Sequence, residues 1–428
     1  MTVLIKNANV YYHNDLVSMD LYINNDGLID LSKKKLIADE VIDGNNKYLL
    51  PGFVDVHTHF REPGFEYKET ILSASKAALK GGVTTAFMMP NLKPCIDNIE
   101  EYNKQIDRIN DVGLINLYQI AAITINEEGK ELSNIEKLSE KCHWFSDDGK
   151  GIQDETKMLN AMKLVKLNNG IITAHCEDEN ELELGSSINL GKKSEEYNLV
   201  GINNASEYNE VKRDIKLAEQ TGCKYHICHM SAKESVEALK LTKVNNTNIS
   251  GEVTVHHLLL NEDDIKENNG KYKMNPPLRT KADQESLIEG IQNNTIEVIV
   301  TDHAPHSIKE KDTTFDKANM GIIGIEHSFS LIYTYLVKNN IISLNKCIEL
   351  MSYNPSRIFG IVDNSIEDNK IANLCLYDLD TEIIIKEDEI VSKGKSSPFI
   401  GKEINAECLL TIVNGKINYR KGIKWKEN

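Results

Sequence analysis

The sequence predicts a (β/α)8 barrel with β-rich segments at both ends of the chain. Eight apolar runs of strand length follow one another between residues 53 and 300, and helical segments separate several of them. Strands that alternate with helices are typical of a parallel sheet, and eight such strands can close into a barrel. A doubly wound open sheet is the alternative, although no Gly-x-Gly-x-x-Gly motif follows an early strand.

The first fifty residues are predicted to form β-structure. Residues 3–5, 10–12 and 20–23 are rich in β-forming side chains, and turn signals follow at residues 25–27 and 43–45. A segment of this size cannot bury a good core alone, so we expect it to pack against another part of the chain.

The predicted barrel begins at Phe53. Helices are predicted at residues 68–80, 157–167 and 207–220, because apolar residues recur there at helical spacing and a glycine follows each segment. The predicted barrel strands are residues 53–57, 83–89, 115–124, 143–146, 171–174, 224–228, 252–256 and 296–300.

The helical period fades after about residue 360. Residues 372–377, 383–385 and 408–413 are strand-like, and Asn414-Gly415 is typical of a hairpin turn. We expect this tail to pair with the N-terminal segment. The predicted domains are therefore a discontinuous β-domain of residues 1–50 plus 361–428 and a barrel catalytic domain of residues 51–360.

Composition narrows the range of partners. The 428 residues carry a net charge of −16, which argues against nucleic acid or an anionic membrane surface as a partner. The 8 cysteines are too dispersed for a disulfide framework. Neither a signal peptide nor an apolar run of transmembrane length is recognisable, so we expect a cytoplasmic protein.

Candidate metal ligands follow the ends of several predicted strands. His57 and His59 end the first strand, and alternate strand residues share a face. The others are Asp147 or Asp148, His175, His229 and Asp302, at the strand ends where barrel enzymes carry their chemistry. Six ligands exceed one tetrahedral zinc but suit two metals that share a carboxylate, which indicates metal-assisted hydrolysis or its reverse. His226 precedes His229 by three residues and is expected to face away from it.

Motifs spread over the chain support a more specific interpretation. They are Asp55-Val56-His57-Thr58-His59-Phe60-Arg61-Glu62-Pro63-Gly64, Met89-Pro90-Asn91, Asp147-Asp148-Gly149, Ala174-His175-Cys176-Glu177, Cys228-His229-Met230-Ser231, Met274-Asn275-Pro276-Pro277-Leu278-Arg279, Thr301-Asp302-His303-Ala304-Pro305-His306 and Ser397-Pro398-Phe399-Ile400-Gly401. Together they resemble the dihydroorotases of the amidohydrolase superfamily, from Val3 to about Gly415. Residues 318–324 depart from the Pro-Phe-Gly run that the family often has there.

The resemblance implies a distorted (β/α)8 barrel with a small β-sandwich built from both termini. It implies the reversible cyclisation of N-carbamoyl-L-aspartate to L-dihydroorotate in pyrimidine biosynthesis, with two zinc ions per subunit bridged by Asp148 and a hydroxide. The motifs assign His57, His59 and Asp302 to one ion. They assign His175 and His229 to the other, and they favour Asp148 over Asp147 as the bridge.

The resemblance also implies the roles of the residues that meet the substrate. Asp302 is expected to act as the catalytic base and acid. The remaining residues, expected to bind substrate, are Arg61, Asn91, Asn275, His306, Ile323 and Gly324. Arg61 and its neighbours would hold the substrate carboxylate, and Asn275 would contact the ring amide.

Two other functions compete with this one. The first is another cyclic amidohydrolase, such as an allantoinase, a dihydropyrimidinase or a hydantoinase, which would not need Arg61 for this carboxylate. The second is a non-catalytic partner of aspartate transcarbamoylase. A homodimer and an association with aspartate transcarbamoylase both stay open, as does whether residues 306–321 form a lid or a mobile surface loop.

Overall fold

In the computed structural model of the chain, residues 1–32, 37–244 and 246–422 are described. The strands are β1 (Val3–Tyr12), β2 (Asp15–Ile23), β3 (Ile29–Asp30), β4 (Glu40–Asp43), β5 (Tyr48–Pro51), β6 (Phe53–Thr58), β7 (Val83–Met88), β8 (Asn116–Gln119), β9 (Ala121–Ala122), β10 (Trp144–Ser146), β11 (Ile171–Ala174), β12 (Ile188–Asn189), β13 (Gly201–Ile202), β14 (Lys224–Ile227), β15 (Ile249–Thr254), β16 (Val298–Val300), β17 (Leu374–Ile384), β18 (Glu403–Val413) and β19 (Lys416–Arg420).

Most of the helices lie between the central strands. They are α1 (Ile71–Lys80), α2 (Ile99–Val112), α3 (Ile135–Leu138), α4 (Glu155–Leu167), α5 (Lys192–Tyr197), α6 (Ala205–Thr221), α7 (Lys233–Lys243), α8 (Val255–Leu259), α9 (Lys281–Gln292), α10 (Ile308–Lys311), α11 (Ser328–Ile332), α12 (Leu344–Ile348) and α13 (Asn354–Phe359). The π-helical segments Tyr333–Val337 and Glu349–Tyr353 continue α11 and α12. None of the described helices combines the length and apolarity that crossing a membrane requires.

The central strands form a parallel barrel, as the sequence predicts. Strands β6, β7 and β8 pair in that order, and β9, β10, β11, β14, β15 and β16 form a second parallel series. Only Ile120 separates β8 from β9, and a parallel bridge between Thr58 and His303 links the first strand to the segment after the last. All eight predicted strand segments contain a barrel strand, and α1, α4 and α6 occupy the predicted helical segments.

Side chains fill the barrel interior and close its base. Val56 of β6 and Val300 of β16 pack in one apolar cluster with Phe87 and Phe359. Phe359, from α13, makes an edge contact with Phe87 at 4.9 Å between ring centroids, and its carbonyl accepts a hydrogen bond from Trp144. The floor is therefore apolar, and polar chemistry is confined to the opposite end of the strands.

The two termini share one eight-stranded sheet. Its order is β19-β18-β17-β5-β1-β2-β3, with β4 paired to β1. Strand β17 from the tail pairs antiparallel with β5, so that Leu374 lies opposite Pro51. The predicted pairing of tail and N-terminal segment is confirmed. The domain boundaries at residues 50 and 360 stay predictions. Residues 33–36 and 423–428 of the predicted β-domain and residue 245 of the predicted barrel domain lie outside the described part of the chain.

Tyr377 joins the terminal sheet to the barrel. This fully buried side chain on β17 lies 6.1 Å from the Phe53 ring of β6 and 4.7 Å from the Phe329 ring of α11, measured between centroids. Its hydroxyl donates a hydrogen bond of 2.9 Å to the carbonyl of Gly81. Aromatic burial at this point therefore holds the two sheets against each other.

We predict that Tyr377→Ala lowers the free energy of unfolding by about 3–5 kcal/mol, as expected for a large buried aromatic side chain. Tyr377→Phe keeps the ring and removes only the hydrogen bond, so it should cost about 0.5–1.5 kcal/mol. Chemical denaturation of both variants and the wild type measures the difference. Equal losses for the two variants would show that the hydrogen bond, and not the ring, joins the sheets.

Candidate active site

The structure brings the six predicted metal ligands together at the C-terminal end of the barrel strands. All six side chains are buried. They follow or end strands β6, β10, β11, β14 and β16. They are His57, His59, Asp148, His175, His229 and Asp302.

Asp148 lies among the histidines. Its Oδ1 is 3.3 Å from His57 Nε2 and 3.8 Å from His229 Nε2, and its Oδ2 is 3.4 Å from His59 Nε2. Burial acts to raise the pKa of Asp148, but His57 and His229 hold the pKa well below its usual value. The carboxylate is therefore ionised and faces three imidazoles.

Asp147 points elsewhere, although it precedes Asp148. Its Oδ1 accepts hydrogen bonds from the backbone N–H groups of Ile123 and Thr124 at 2.8 and 2.9 Å, and its Oδ2 accepts one from the Thr124 hydroxyl. Asp148 thus faces the histidines of the site, whereas Asp147 accepts hydrogen bonds from the segment that follows β9. This geometry favours Asp148 as the ligand.

The remaining candidate ligands extend the cluster on both sides. Asp302 Oδ1 lies 3.1 Å from His59 Nε2 and 3.6 Å from His57 Nε2. On the other side, His175 Nδ1 lies 2.9 Å from His229 Nε2. Burial acts to raise the pKa of Asp302, and the neighbouring histidines lower it to about 2.

These residues fit a divalent metal. Ligand atoms of His57, His59 and Asp302 lie within 4.8 Å of one another, and so do those of His57, Asp148 and His229. Three buried atoms in these groups, His57 Nε2, Asp148 Oδ1 and His229 Nδ1, lack a hydrogen-bond partner among the described residues. A buried polar atom without a partner is costly, and metal coordination removes that cost for His57 Nε2 and Asp148 Oδ1.

Glu252 is a site residue that the sequence analysis missed. Its carboxylate on β15 is fully buried, with Oε1 2.6 Å from His57 Nδ1 and Oε2 3.0 Å from His226 Nε2. Oε1 also accepts a hydrogen bond from the backbone N–H of His229. The ring of His226 thus contacts the same carboxylate as the His57 ring and the His229 backbone.

A bulge in β6 contributes to this arrangement. Strict alternation would turn Val56 and His57 to opposite faces. The register of β6 against β7 shifts between Asp55 and Thr58, which marks an irregularity of the β-bulge type, and such bulges re-aim side chains. Val56 packs in one apolar cluster with Cys228, and the Cys228 sulfur lies within 4.8 Å of ligand atoms of His57 and Glu252. Cys228 is therefore close to both Val56 and His57, which strict alternation would place on opposite faces.

Three site residues have left-handed backbone conformations. Arg61, His229 and Asp302 have φ values of 62°, 31° and 46°. Non-glycine residues in this region cost of order 1–3 kcal/mol each and cluster at functional sites. The surrounding fold holds these residues in place at that cost.

A cavity of about 210 Å³ opens above the cluster. Four predicted substrate-binding residues line it: Arg61, Asn91, Asn275 and His306. Ile323 and Gly324 do not line this cavity; they border a smaller one with Glu326 and Phe399. Met320 and Gly321 line the cavity instead.

The cavity residues are held by specific contacts. Asn91 Oδ1 lies 3.0 Å from His59 Nδ1, so the amide fixes the ring that faces Asp302. Asn275 Nδ2 donates to Glu177 Oε1 at 2.9 Å. Arg61 Nε donates to the Pro305 carbonyl at 3.2 Å, and burial lowers the pKa of its guanidinium. Arg61 thus brings a cation to the cavity wall.

Known relatives match almost the whole chain. A dihydroorotase of Fusobacterium nucleatum subsp. nucleatum is 43% identical over 419 residues, which cover 97% of this chain and 98% of that protein. A dihydroorotase of Staphylococcus epidermidis is 40% identical over 422 residues, which cover 98% and 99%. One of Staphylococcus aureus is 41% identical over 426 residues, which cover 97% and 99%.

Solved structures show the same fold, and a family model matches part of the chain. An L-hydantoinase of Arthrobacter aurescens superposes with a TM-score of 0.88 at 21% identity and covers 99% of this chain and 97% of its own, which shows the shared fold. A D-hydantoinase of Thermus sp. gives 0.85 at 25% identity over 99% and 97%. The family model described as Dihydro-orotase-like matches residues 46–235. The chain belongs to the dihydroorotase family.

Proposed function

We propose that this protein catalyses the reversible cyclisation of N-carbamoyl-L-aspartate to L-dihydroorotate, a step of UMP biosynthesis. The observation that carries the proposal is the Arg61 guanidinium beside a buried cluster of histidines and aspartates in one cavity. The cluster suits hydrolysis of a cyclic amide or its reverse. The guanidinium suits the carboxylate that dihydroorotate has and that allantoin and hydantoin lack.

The proposed cofactor is a pair of zinc ions. His57, His59 and Asp302 would hold one, His175 and His229 the other, and Asp148 would be shared. When bound, such a pair polarises the amide carbonyl and lowers the pKa of water toward about 7. A homodimer, an association with aspartate transcarbamoylase and a cytoplasmic location stay predictions.

Asp302 is the proposed proton carrier. In the hydrolytic direction its carboxylate accepts the proton that the attacking water loses. It then donates this proton to the ring nitrogen as the carbon–nitrogen bond breaks. Cyclisation reverses both transfers, so Asp302 first accepts a proton from the attacking nitrogen and then donates it to the oxygen that leaves as water. Cyclisation consumes one proton overall, because a carboxylate is converted into an amide.

The substrate is proposed to bind by its carboxylate and its ring amide. Arg61, Asn91 and His306 would hold the carboxylate, and Asn275 would contact the ring amide. Met320 and Gly321, which line the cavity, would take the place of Ile323 and Gly324 beside the substrate. The residues that orient the substrate thus lie within one cavity.

We predict that the metal-replete protein interconverts N-carbamoyl-L-aspartate and L-dihydroorotate. Chelation should abolish turnover, and added zinc should restore it, with metal content measured by plasma mass spectrometry. Allantoin and hydantoin serve as control substrates. Turnover of either one without turnover of dihydroorotate would assign another cyclic amidohydrolase, and absence of bound metal after metal-replete preparation would favour the non-catalytic partner.

We predict that Arg61→Met lowers kcat/KM by about ten- to a hundredfold, as expected for losing a hydrogen-bonded pair with a charged group. The loss should fall mainly on KM, because the guanidinium holds the substrate and not the reacting bond. Arg357→Met removes an exposed arginine on α13 and is the matched control. An unchanged KM in Arg61→Met would remove this residue from substrate recognition.

We predict that Asp302→Asn retains substrate binding and loses about 10²- to 10⁴-fold in kcat. Cyclisation consumes one proton and hydrolysis releases one, because the two reactions interconvert a carboxylate and an amide. Wild-type cyclisation should therefore accelerate as pH falls while hydrolysis slows. Substrate binding is measured by calorimetry, and turnover is measured in both directions. Near-normal turnover of the variant would exclude Asp302 as the proton carrier.

A further inference from the structure

His306 lies between two cations and a carbonyl. Its Nδ1 is 3.1 Å from Lys68 Nζ, and its Nε2 is 2.7 Å from the Met320 carbonyl oxygen. Arg61 Nη2 lies 3.5 Å from the same Nε2. All four residues are close to the cavity, and Lys68 has no role in the proposed chemistry so far.

These contacts determine which ring nitrogen carries the proton. An ammonium group donates hydrogen bonds and accepts none, so Nδ1 must present its lone pair to Lys68. The carbonyl of Met320 only accepts, so Nε2 must carry the proton. Burial, together with Arg61 and Lys68, lowers the pKa of His306 to about 3, so the ring is a neutral imidazole with hydrogen on Nε2.

The space beside Nε2 is kept open. Gly321 has φ 125°, and a Cβ at this position would lie 2.7 Å from the Ala304 carbonyl oxygen and 3.2 Å from His306 Nε2. A larger residue would therefore crowd the N–H group. Glycine at this point leaves the N–H next to the cavity and to Arg61.

Lys68 is itself fixed by a second contact. Its Nζ lies 3.0 Å from Glu310 Oε1, and the side chain is buried over the rings of Phe65 and Tyr67. An ammonium buried in this way keeps its charge only when it is paired. Glu310 supplies that pairing, and burial otherwise lowers the pKa of Lys68.

Glu310 also anchors the segment that follows His306. It accepts hydrogen bonds from the Ser307 backbone N–H at 2.9 Å, the Tyr67 hydroxyl at 3.1 Å and Asn319 Nδ2 at 3.1 Å. Asn319 precedes Met320, whose carbonyl accepts from His306. Lys68 and Glu310 therefore hold both the ring and the loop that supplies the ring's acceptor.

We propose that Lys68 is a positioning residue that, together with the Met320 carbonyl, fixes His306 in the Nε2–H form and holds its ring beside the site of the substrate carboxylate. This proposal rests on the proposed function, in which His306 contacts that carboxylate. With the proton on Nδ1, the ring would present a lone pair to the anion and repel it. Lys68 thus controls substrate affinity without touching the substrate.

The test is Lys68→Met, which keeps the apolar stem of the side chain and removes its donor. Spectra of ¹⁵N-histidine protein, assigned with His306→Ala, should show the proton on Nε2 in the wild type and a population with hydrogen on Nδ1 in the variant. KM should rise by about five- to tenfold, with kcat changed less than about threefold. Lys68→Arg retains a donor and should restore both the Nε2–H form and most of the affinity.

Lys309→Met is the matched control, because this lysine is exposed on α10, next to Glu310. It should leave the spectra and KM unchanged. A wild-type spectrum with the proton on Nδ1 would overturn the proposal, and it needs no variant to fold. An unchanged KM in Lys68→Met would overturn it as well. Failure of the proposed function would instead appear as absence of wild-type turnover, with the spectra unaffected.

Discussion

The site depends on the Glu252 carboxylate, which is buried without solvent between the rings of His57 and His226. An isolated charge at this depth would cost several kcal/mol. Burial acts to raise the pKa of Glu252, and the two histidines overcome this effect and hold the pKa below its usual value. Because the carboxylate accepts from His57 Nδ1, the Nε2 atom of His57 is left to face Asp148 and Asp302.

Polar side chains also contact the rings of His59 and His175. Asn91 orients His59 through Nδ1, and Glu177 and Asn275 lie beside Nε2 of His175, at 3.7 and 3.4 Å. For His57 and His59, a polar side chain from another part of the barrel contacts Nδ1 and leaves Nε2 facing the aspartates of the site. Partners of this kind set ligand orientation and basicity at metal sites. The barrel brings His57 and Glu252 together although they are 195 residues apart in the sequence.

The sequence analysis predicted the barrel and the candidate ligands at its strand ends, but it did not predict the role of Glu252. Strand periodicity located the barrel, and the spacing of His57, His175 and Asp302 relative to strand ends predicted their convergence. Glu252 was missed because a glutamate within an apolar strand has no local signature, and its partner His57 lies 195 residues away. Met320 and Gly321, and not Ile323 and Gly324, line the cavity, and the sequence motifs did not distinguish between these neighbouring positions.

Two adjacent residues, Lys68 and Glu69, contact the segment after β16, and Glu69 also contacts the tail of the chain. Lys68 faces His306 and the loop after β16, whereas Glu69 accepts hydrogen bonds from the Ser392 hydroxyl and the Lys393 backbone N–H in the tail. Glu69 also lies 3.6 Å from the ring of His303, the residue after Asp302. Because His303 bridges Thr58 at the end of β6, the tail supports the segment on which Asp302 is held in its left-handed conformation. The segment between β17 and β18 is thus linked through Glu69 to the residue that follows Asp302.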